Sequence, residues 1–185
     1  MLKRHLEDII YNSITESLDL KNIGTYNYVF NGEKEDQKIE LKYIGYSFFV
    51  KEIDENVDVN FYVLDRPFSD IILPPALLNG TKQLDKMQVL TIDYYIDRID
   101  TQFTKSNLSI LLKILKTVME ITKEVKDKYD VRLFALGATE KDADSKTKIT
   151  IYKTLANNKP DGWMDIEREI NNQNIIVLYD GKTFS

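Results

Sequence analysis

The side chains that most often carry chemistry are scarce in this sequence. It contains one histidine, His5, and no cysteine. The absence of cysteine excludes disulfides, thiolate nucleophiles and thiolate-bound zinc or iron–sulfur centres. A Ser-His-Asp triad would need His5 as its base. His5 lies among charged residues at the start of an amphipathic segment, a position typical of a solvated histidine. The remaining candidates are carboxylates, lysines and tyrosines.

Two carboxylate patterns resemble metal sites. Asp93 and Asp97 fall on one face of a predicted strand, but four residues of strand place them roughly 13 Å apart, too far for one ion. Asp36 precedes Glu40 and Lys42 in a pattern similar to the acidic, Glu-x-Lys arrangement of metal-dependent nucleases. Asp36 and Glu40 are only four residues apart, however, and the net negative charge disfavours a DNA channel. We therefore predict no metal and no cofactor.

The lysines and glycines permit two further binding hypotheses. Isolated glycines at Asn31-Gly32 and at Gly137 are far from the spacing of a phosphate-binding loop and are explained by turns and packing. A row of lysines at helical spacing is more typical of a solvated helix face than of a binding patch: Lys113, Lys116, Lys123 and Lys126.

Composition limits the class of protein. The chain has 185 residues, of which 43% are hydrophobic and 30% charged, which predicts a single globular domain over 1–185. A net charge of −5 argues against nucleic acid as the main partner. No five-residue window is polybasic, which argues against a basic membrane-surface patch. No apolar run approaches the roughly 18 residues of a membrane span. We expect a soluble, intracellular-type protein that is neither secreted nor membrane-bound.

The first third of the chain changes from helical to strand periodicity. Apolar residues recur every three or four positions over 2–18, which predicts an N-terminal helix within 1–22 that stops near Gly24. Alternating residues then predict a meander of antiparallel strands, with a turn at Asn31-Gly32 and a bulge or kink at Gly45. Four apolar residues share one face of the third strand: Val57, Val59, Phe61 and Val63.

An insertion over 65–86 interrupts the strand pattern. Its prolines lack a backbone donor, so the segment is not a central strand. Two interpretations remain open: a loop that shields a sheet edge, or an apolar docking loop for another subunit. The predicted partner-binding residues are Pro67, Phe68, Ile71, Ile72, Leu73, Pro74, Pro75, Leu77 and Leu78.

The rest of the chain alternates strands with helices. The patterns predict, in order, a strand (Met87–Asp100), a long helix (Ser106–Lys128), a buried strand (131–136), a helix (Ser145–Asn157), a short helix (Trp163–Ile170) and a strand (Asn174–Tyr179). The first strand and the buried strand should form a parallel pair through a right-handed crossover. The predicted class is α+β, a mostly antiparallel twisted sheet with one long helix packed across it.

This order of elements resembles the core of the GNAT acyltransferases. The region from Thr104 to Leu155 also resembles a group of small tailed-bacteriophage proteins, on two short runs: Phe134-Ala135-Leu136-Gly137-Ala138, and Ser145 followed by Ile151-Tyr152-Lys153-Thr154-Leu155. The resemblance spans roughly 87–179. It implies a GNAT-like core, with Tyr152 at the position of the general acid and the helix start at Ser106-Asn107 at the position that holds cofactor phosphates.

The sequence departs from the GNAT pattern at the cofactor turn. GNAT enzymes carry a glycine-containing motif there, because glycine lets the backbone N–H groups approach the pyrophosphate. Residues 101–108 contain no glycine. Without that turn, Tyr152 is expected to pack against the sheet.

We therefore expect a non-enzymatic bacteriophage protein, located in the virion or the host cytoplasm. Low arginine use, 5 of the 25 basic residues, indicates AT-rich coding and fits this source. The expected role is a virion-associated structural or assembly component that contacts other protein subunits in an oligomer. Two alternatives stay open: an acetyl-CoA-dependent N-acyltransferase-like enzyme that uses Tyr152, Ser106 and Asn107, and a small effector that binds a host protein.

Overall fold

A computed structural model describes residues 22–37, 40–64, 89–96, 108–139, 152–170 and 173–182. The predicted N-terminal helix over 2–18, the insertion over 65–86 and most of the predicted helix over 145–157 lie outside these ranges.

The described residues form an α+β fold, as the sequence predicted. Their elements are β1 (Tyr28–Asp36), β2 (Leu41–Val50), β3 (Glu55–Leu64), β4 (Val89–Ile96), α1 (Leu108–Tyr129), β5 (Leu133–Thr139), β6 (Trp163–Ile170) and β7 (Gln173–Asp180). Residues 152–157 are also helical. The strands make one sheet in the order β1-β2-β3-β4-β5-β7-β6.

One pair of neighbouring strands is parallel. β4 pairs in parallel with β5, and every other neighbouring pair is antiparallel. α1 connects β4 to β5, as a parallel pair requires. The predicted parallel crossover is confirmed in its direction; its right-handedness stays a prediction.

The core lies between the sheet and α1. Alternate residues of β2 and β3 are buried on the face that packs against α1, which we call the helix face: Ile44, Tyr46, Phe48, Val50, Val57, Val59 and Phe61. On α1, Ile114 and Ile121 are fully buried, whereas Leu112 and Met119 are only partly buried. The buried stripe of α1 is therefore centred near Ile114 and Ile121.

The predicted turn at Asn31-Gly32 is wrong. β1 continues through these residues, and its register against β2 shifts between Phe30 and Gly32. Asn31 is the extra residue of a β-bulge, and Gly32 has a positive φ of 91° that glycine adopts without strain. Gly32 lies opposite Gly45, so the irregularity predicted at Gly45 lies in the partner strand.

The predicted short helix over Trp163–Ile170 is also wrong, because this segment is strand β6. β6 pairs with β7 along its whole length, from Trp163 opposite Asp180 to Ile170 opposite Gln173. The sequence does alternate, with Asp165 and Glu167 exposed and Ile166 partly buried. Pairing with β7 outweighs the helical preference of its glutamates and methionine.

Candidate functional site

The described residues expose their large apolar side chains mainly at one sheet edge. β1 and β6 form the two edges of the sheet. Val29 and Phe30 of β1 are 62% and 41% exposed, and Phe49 of the neighbouring β2 is 49% exposed. We call Val29, Phe30 and Phe49 the edge patch.

Register places the edge patch on both faces of the sheet. Val29 lies opposite Ser47, two residues before Phe49, so Val29 and Phe49 are diagonal neighbours on the face away from α1. Phe30 lies opposite Tyr46 on the helix face, where the two ring centroids are 5.2 Å apart. The Lys128 ammonium lies 3.9 Å from the Phe30 ring centroid. A strand added beside β1 would therefore contact apolar groups above and below its own plane.

The other parts of the two edges carry the features that usually prevent strand addition. The second half of β1 follows the bulge and is charged at Glu33, Lys34, Glu35 and Asp36. β6 presents exposed acidic residues at alternate positions, Asp165, Glu167 and Glu169. Charges and bulges of this kind protect edge strands from pairing with other chains. The first half of β1, Tyr28–Phe30, lacks both features.

Hydrogen bonds to α1 hold the start of β1 in place. The Tyr28 hydroxyl donates to Glu124 Oε2 at 3.0 Å, and the Tyr46 hydroxyl donates to Glu124 Oε1 at 3.0 Å. Burial and the bond to the Glu124 carboxylate both raise the pKa of Tyr46, and they raise that of Tyr28 as well. These tyrosines therefore stay protonated as donors, and they fix the edge strand on the helix.

Tyr26, two residues before β1, has a similar anchor. The Tyr26 hydroxyl donates to Glu52 Oε2 at 3.0 Å, and Lys113 lies 3.8 Å from Glu52 Oε1. The Lys113 ammonium also lies 4.1 Å from the Tyr26 ring centroid. Burial raises the pKa of Tyr26, and the hydrogen bond to Glu52 adds to this effect. The edge patch therefore lies on a backbone that is already ordered, which lowers the entropy cost of binding.

A second feature is the divergence of the parallel pair β4 and β5. The two strands pair over only three positions, Val89–Thr91 with 133–135. β4 continues to Ile96 against β3, and β5 continues to Thr139 against β7. Beyond the third position, the described residues of β4 and β5 therefore no longer pair with each other.

The structure places the residues predicted from the resemblance as follows. Tyr152 is 1% exposed and belongs to the core cluster that also contains Phe134 and Leu155. Ser106 and Asn107 lie outside the described residues, as do all the predicted partner-binding residues from Pro67 to Leu78.

The edge patch was missed by sequence reasoning. The alternating pattern predicts only a meander of strands in this region and indicates no role for Val29, Phe30 or Phe49. The available signal was an apolar residue on the polar side of each alternation: Val29 between Tyr28 and Phe30, and Phe49 beside Phe48. Such a signal indicates exposure only once the buried face of the strand is known.

Within the described ranges, no group of three or more histidine, aspartate or glutamate residues is arranged to hold a metal ion. Among the helical residues that the structure describes, no helix is long and apolar enough to span a membrane. Comparisons with protein-family models, curated proteins and solved structures gave no match.

Proposed function

We propose that this chain is a non-enzymatic bacteriophage protein, a virion-associated structural or assembly component that forms oligomers through protein–protein contacts. The observation that carries the proposal is the edge patch: Val29 and Phe30 on the first half of β1, and Phe49 on the neighbouring β2, are exposed apolar side chains at the end of the sheet that the described residues form. Edge strands with these properties pair with other chains. The partner we propose is a second copy of this chain.

The chemistry of the described residues supports a binding role over a catalytic one. Tyr152 is buried in the core, whereas a general acid must reach its substrate. The glycine-free sequence over 101–108 lacks the residue type that lets a backbone approach a pyrophosphate. The AT-rich coding and the resemblance to small phage proteins support the proposed source.

Light scattering coupled to size-exclusion chromatography tests the proposed assembly. The chain has a mass of 21.6 kDa. The proposal predicts a mass that is a whole multiple of this value and that falls on dilution. A monomer at every concentration would contradict self-association.

The insertion over 65–86 remains a second proposed contact. Deletion of residues 71–78 should abolish assembly and leave the fold intact. A deletion variant that still assembles would remove that segment from the proposal.

One observation favours the acyltransferase-like alternative. The strand order with a single parallel pair, and the divergence of β4 from β5, support a GNAT-like core. This alternative predicts that acetyl-CoA stabilises the chain. A ligand at 100 times its dissociation constant stabilises a protein by about 2.7 kcal/mol, which is several degrees in a thermal melt of this size. A rise in melting temperature with acetyl-CoA that is lost with S-acetylpantetheine, the fragment without the pyrophosphate, would support the acyltransferase alternative and make Tyr152→Phe the next variant. An unchanged melting temperature would contradict the acyltransferase alternative and leave the binding role as the proposal.

The effector alternative shares the same surface and differs in stoichiometry. An inhibitor of a host protein forms a one-to-one complex with that protein, whereas an assembly component forms a symmetric oligomer with itself. The scattering experiment separates the effector from the assembly component. A chain that is monomeric alone and forms a one-to-one complex only when a host protein is added fits the effector.

A further inference from the structure

A groove on the helix face lies at the other end of the sheet from the edge patch. It runs between α1 and residues 155–163, above β5 and β7, and its volume is about 630 Å³. This size is within the range of small-molecule sites. Its apolar lining comes mainly from Phe134, Leu155, Trp163 and Leu178, all of which are largely buried.

Most polar groups that line the groove already have partners. Thr122 Oγ1 donates to the Val118 carbonyl at 2.7 Å, and Asn158 Nδ2 donates to the Thr154 carbonyl at 2.9 Å. The Lys159 ammonium donates to the Ala156 carbonyl at 3.1 Å and lies 2.7 Å from Asp165. These groups therefore do not require a hydrogen bond from a ligand.

The lining charges leave one side of the groove cationic. Of its two carboxylates, Glu120 is paired with Lys116 at 3.0 Å, and Asp161 is exposed in the turn before β6. On α1, Lys126 hydrogen-bonds the exposed Asp127 next to it and lowers the pKa of that carboxyl, and the charge of Lys123 adds to this effect. The carboxylate therefore lies near both ammonium groups, and the three side chains together carry a net charge of +1. Lys123 and Lys126 lie three residues apart and so share one side of the helix. An anion could contact both ammonium groups.

We propose that this groove binds a small amphipathic anion, with its aromatic body against Trp163 and Leu155 and its acidic group between Lys123 and Lys126. Trp163 and Leu155 are only 9% and 5% exposed, so the half-buried Met119 and the exposed Pro160 of the same groove add to the apolar contact area. The two lysines orient the acidic group of the ligand. The site is separate from the edge patch and does not depend on assembly.

Trp163 makes the proposal directly measurable, since it is the chain's one tryptophan. The probe is 1-anilinonaphthalene-8-sulfonate, which absorbs where tryptophan emits. We expect saturable quenching of Trp163 emission by the sulfonate probe, and binding about tenfold weaker for its uncharged analogue N-phenyl-1-naphthylamine, since the ion contacts are lost.

Charge-reversal variants assign the site. Lys123→Glu should weaken sulfonate binding about tenfold or more and leave the binding of the neutral analogue unchanged. Lys51→Glu, the same change on an exposed residue of the β2–β3 turn, should bind like wild type. Both lysines are at the surface, so neither variant should disturb folding. The proposal is overturned if quenching does not saturate, if both probes bind equally, or if Lys123→Glu binds like Lys51→Glu.

Discussion

The Tyr26 backbone N–H donates a hydrogen bond to Thr117 Oγ1 at 2.9 Å, across 91 residues of sequence. The Thr117 hydroxyl in turn donates to the Lys113 carbonyl at 2.7 Å. Thr117 is fully buried, and Tyr26 is 6% exposed. One hydroxyl therefore joins the residue that leads into the edge strand to the middle of the long helix. This hydroxyl accepts a hydrogen bond from the Tyr26 N–H, which precedes β1 and so lies outside the hydrogen-bond ladder of the sheet.

Replacement of Thr117 by valine should destabilise the protein. Valine keeps the shape of the side chain but leaves the Tyr26 N–H without its acceptor, and a buried unsatisfied donor costs about 1–3 kcal/mol. Urea unfolding measures the change. Thr117→Ser is the matched control, because it keeps the hydroxyl, and it should lose less stability than Thr117→Val. Equal stability of Thr117→Val and wild type would show that the hydrogen bond contributes nothing.

The buried tyrosines predict a loss of stability at alkaline pH. Burial, together with Glu52 and Glu124, raises the pKa of Tyr26 and Tyr46 above the ordinary value of 10.0. Above about pH 10 an unfolded tyrosine releases its proton while the folded one keeps it, so the folded state binds more protons. The stability these groups confer is complete below pH 10 and falls as the pH rises, by about 1.4 kcal/mol per pH unit for each tyrosine.

Urea unfolding at a series of pH values above about 9 tests this relation, with Tyr46→Phe as the comparison. Phenylalanine cannot ionise, so the variant should show a shallower fall of unfolding free energy with pH, although it is less stable at neutral pH. A slope identical to that of wild type would contradict the assignment to Tyr46.

Gly181 should not tolerate a side chain. A Cβ at this position would lie 2.9 Å from the Gly162 carbonyl oxygen and 3.3 Å from Met164 Cγ. The Gly181 N–H also donates to that carbonyl at 3.0 Å, so the backbones cannot separate without breaking the bond. Gly181→Ala should cost about 1–3 kcal/mol, as overpacking does.

Gly24→Ala is the control for this substitution. A Cβ at Gly24 meets no atom within 4 Å, so the variant should match wild type or exceed it slightly in a thermal melt. If both variants melt at the same temperature, the close approach of the 162 and 181 backbones is not a constraint on stability.

Local periodicity was sufficient to predict the elements with a strong pattern. The long helix, the meander through β3 and the parallel pair of β4 and β5 follow from alternation, from helical spacing and from the length of the connection. The two errors have one physical origin. Asn31-Gly32 supports a tight turn and a bulge equally well, and Trp163–Ile170 has residues that suit a helix; in both places the neighbouring strand decides the outcome.

The candidate sites were harder to predict than the elements. Val29 and Phe49 become a surface only because β1 is at the edge of the sheet and because the register makes them diagonal neighbours. The groove at Trp163 is formed jointly by α1, the 155–161 segment and the strands β5 and β7. Sequence spacing indicates which residues share a face of one element, but it does not indicate which elements lie side by side.

The central claim is that copies of this chain associate through the edge patch, and sedimentation velocity of two lysine variants tests it most directly. Val29→Lys places a charge on the unprotected half of β1, the device by which natural edge strands avoid pairing. Met164→Lys is the matched control on the opposite edge strand, where Met164 is 53% exposed. We expect wild type and Met164→Lys to sediment as the same oligomer and Val29→Lys to sediment as a monomer with an unchanged far-UV circular dichroism spectrum. Assembly of Val29→Lys to the same oligomer as wild type would contradict the claim.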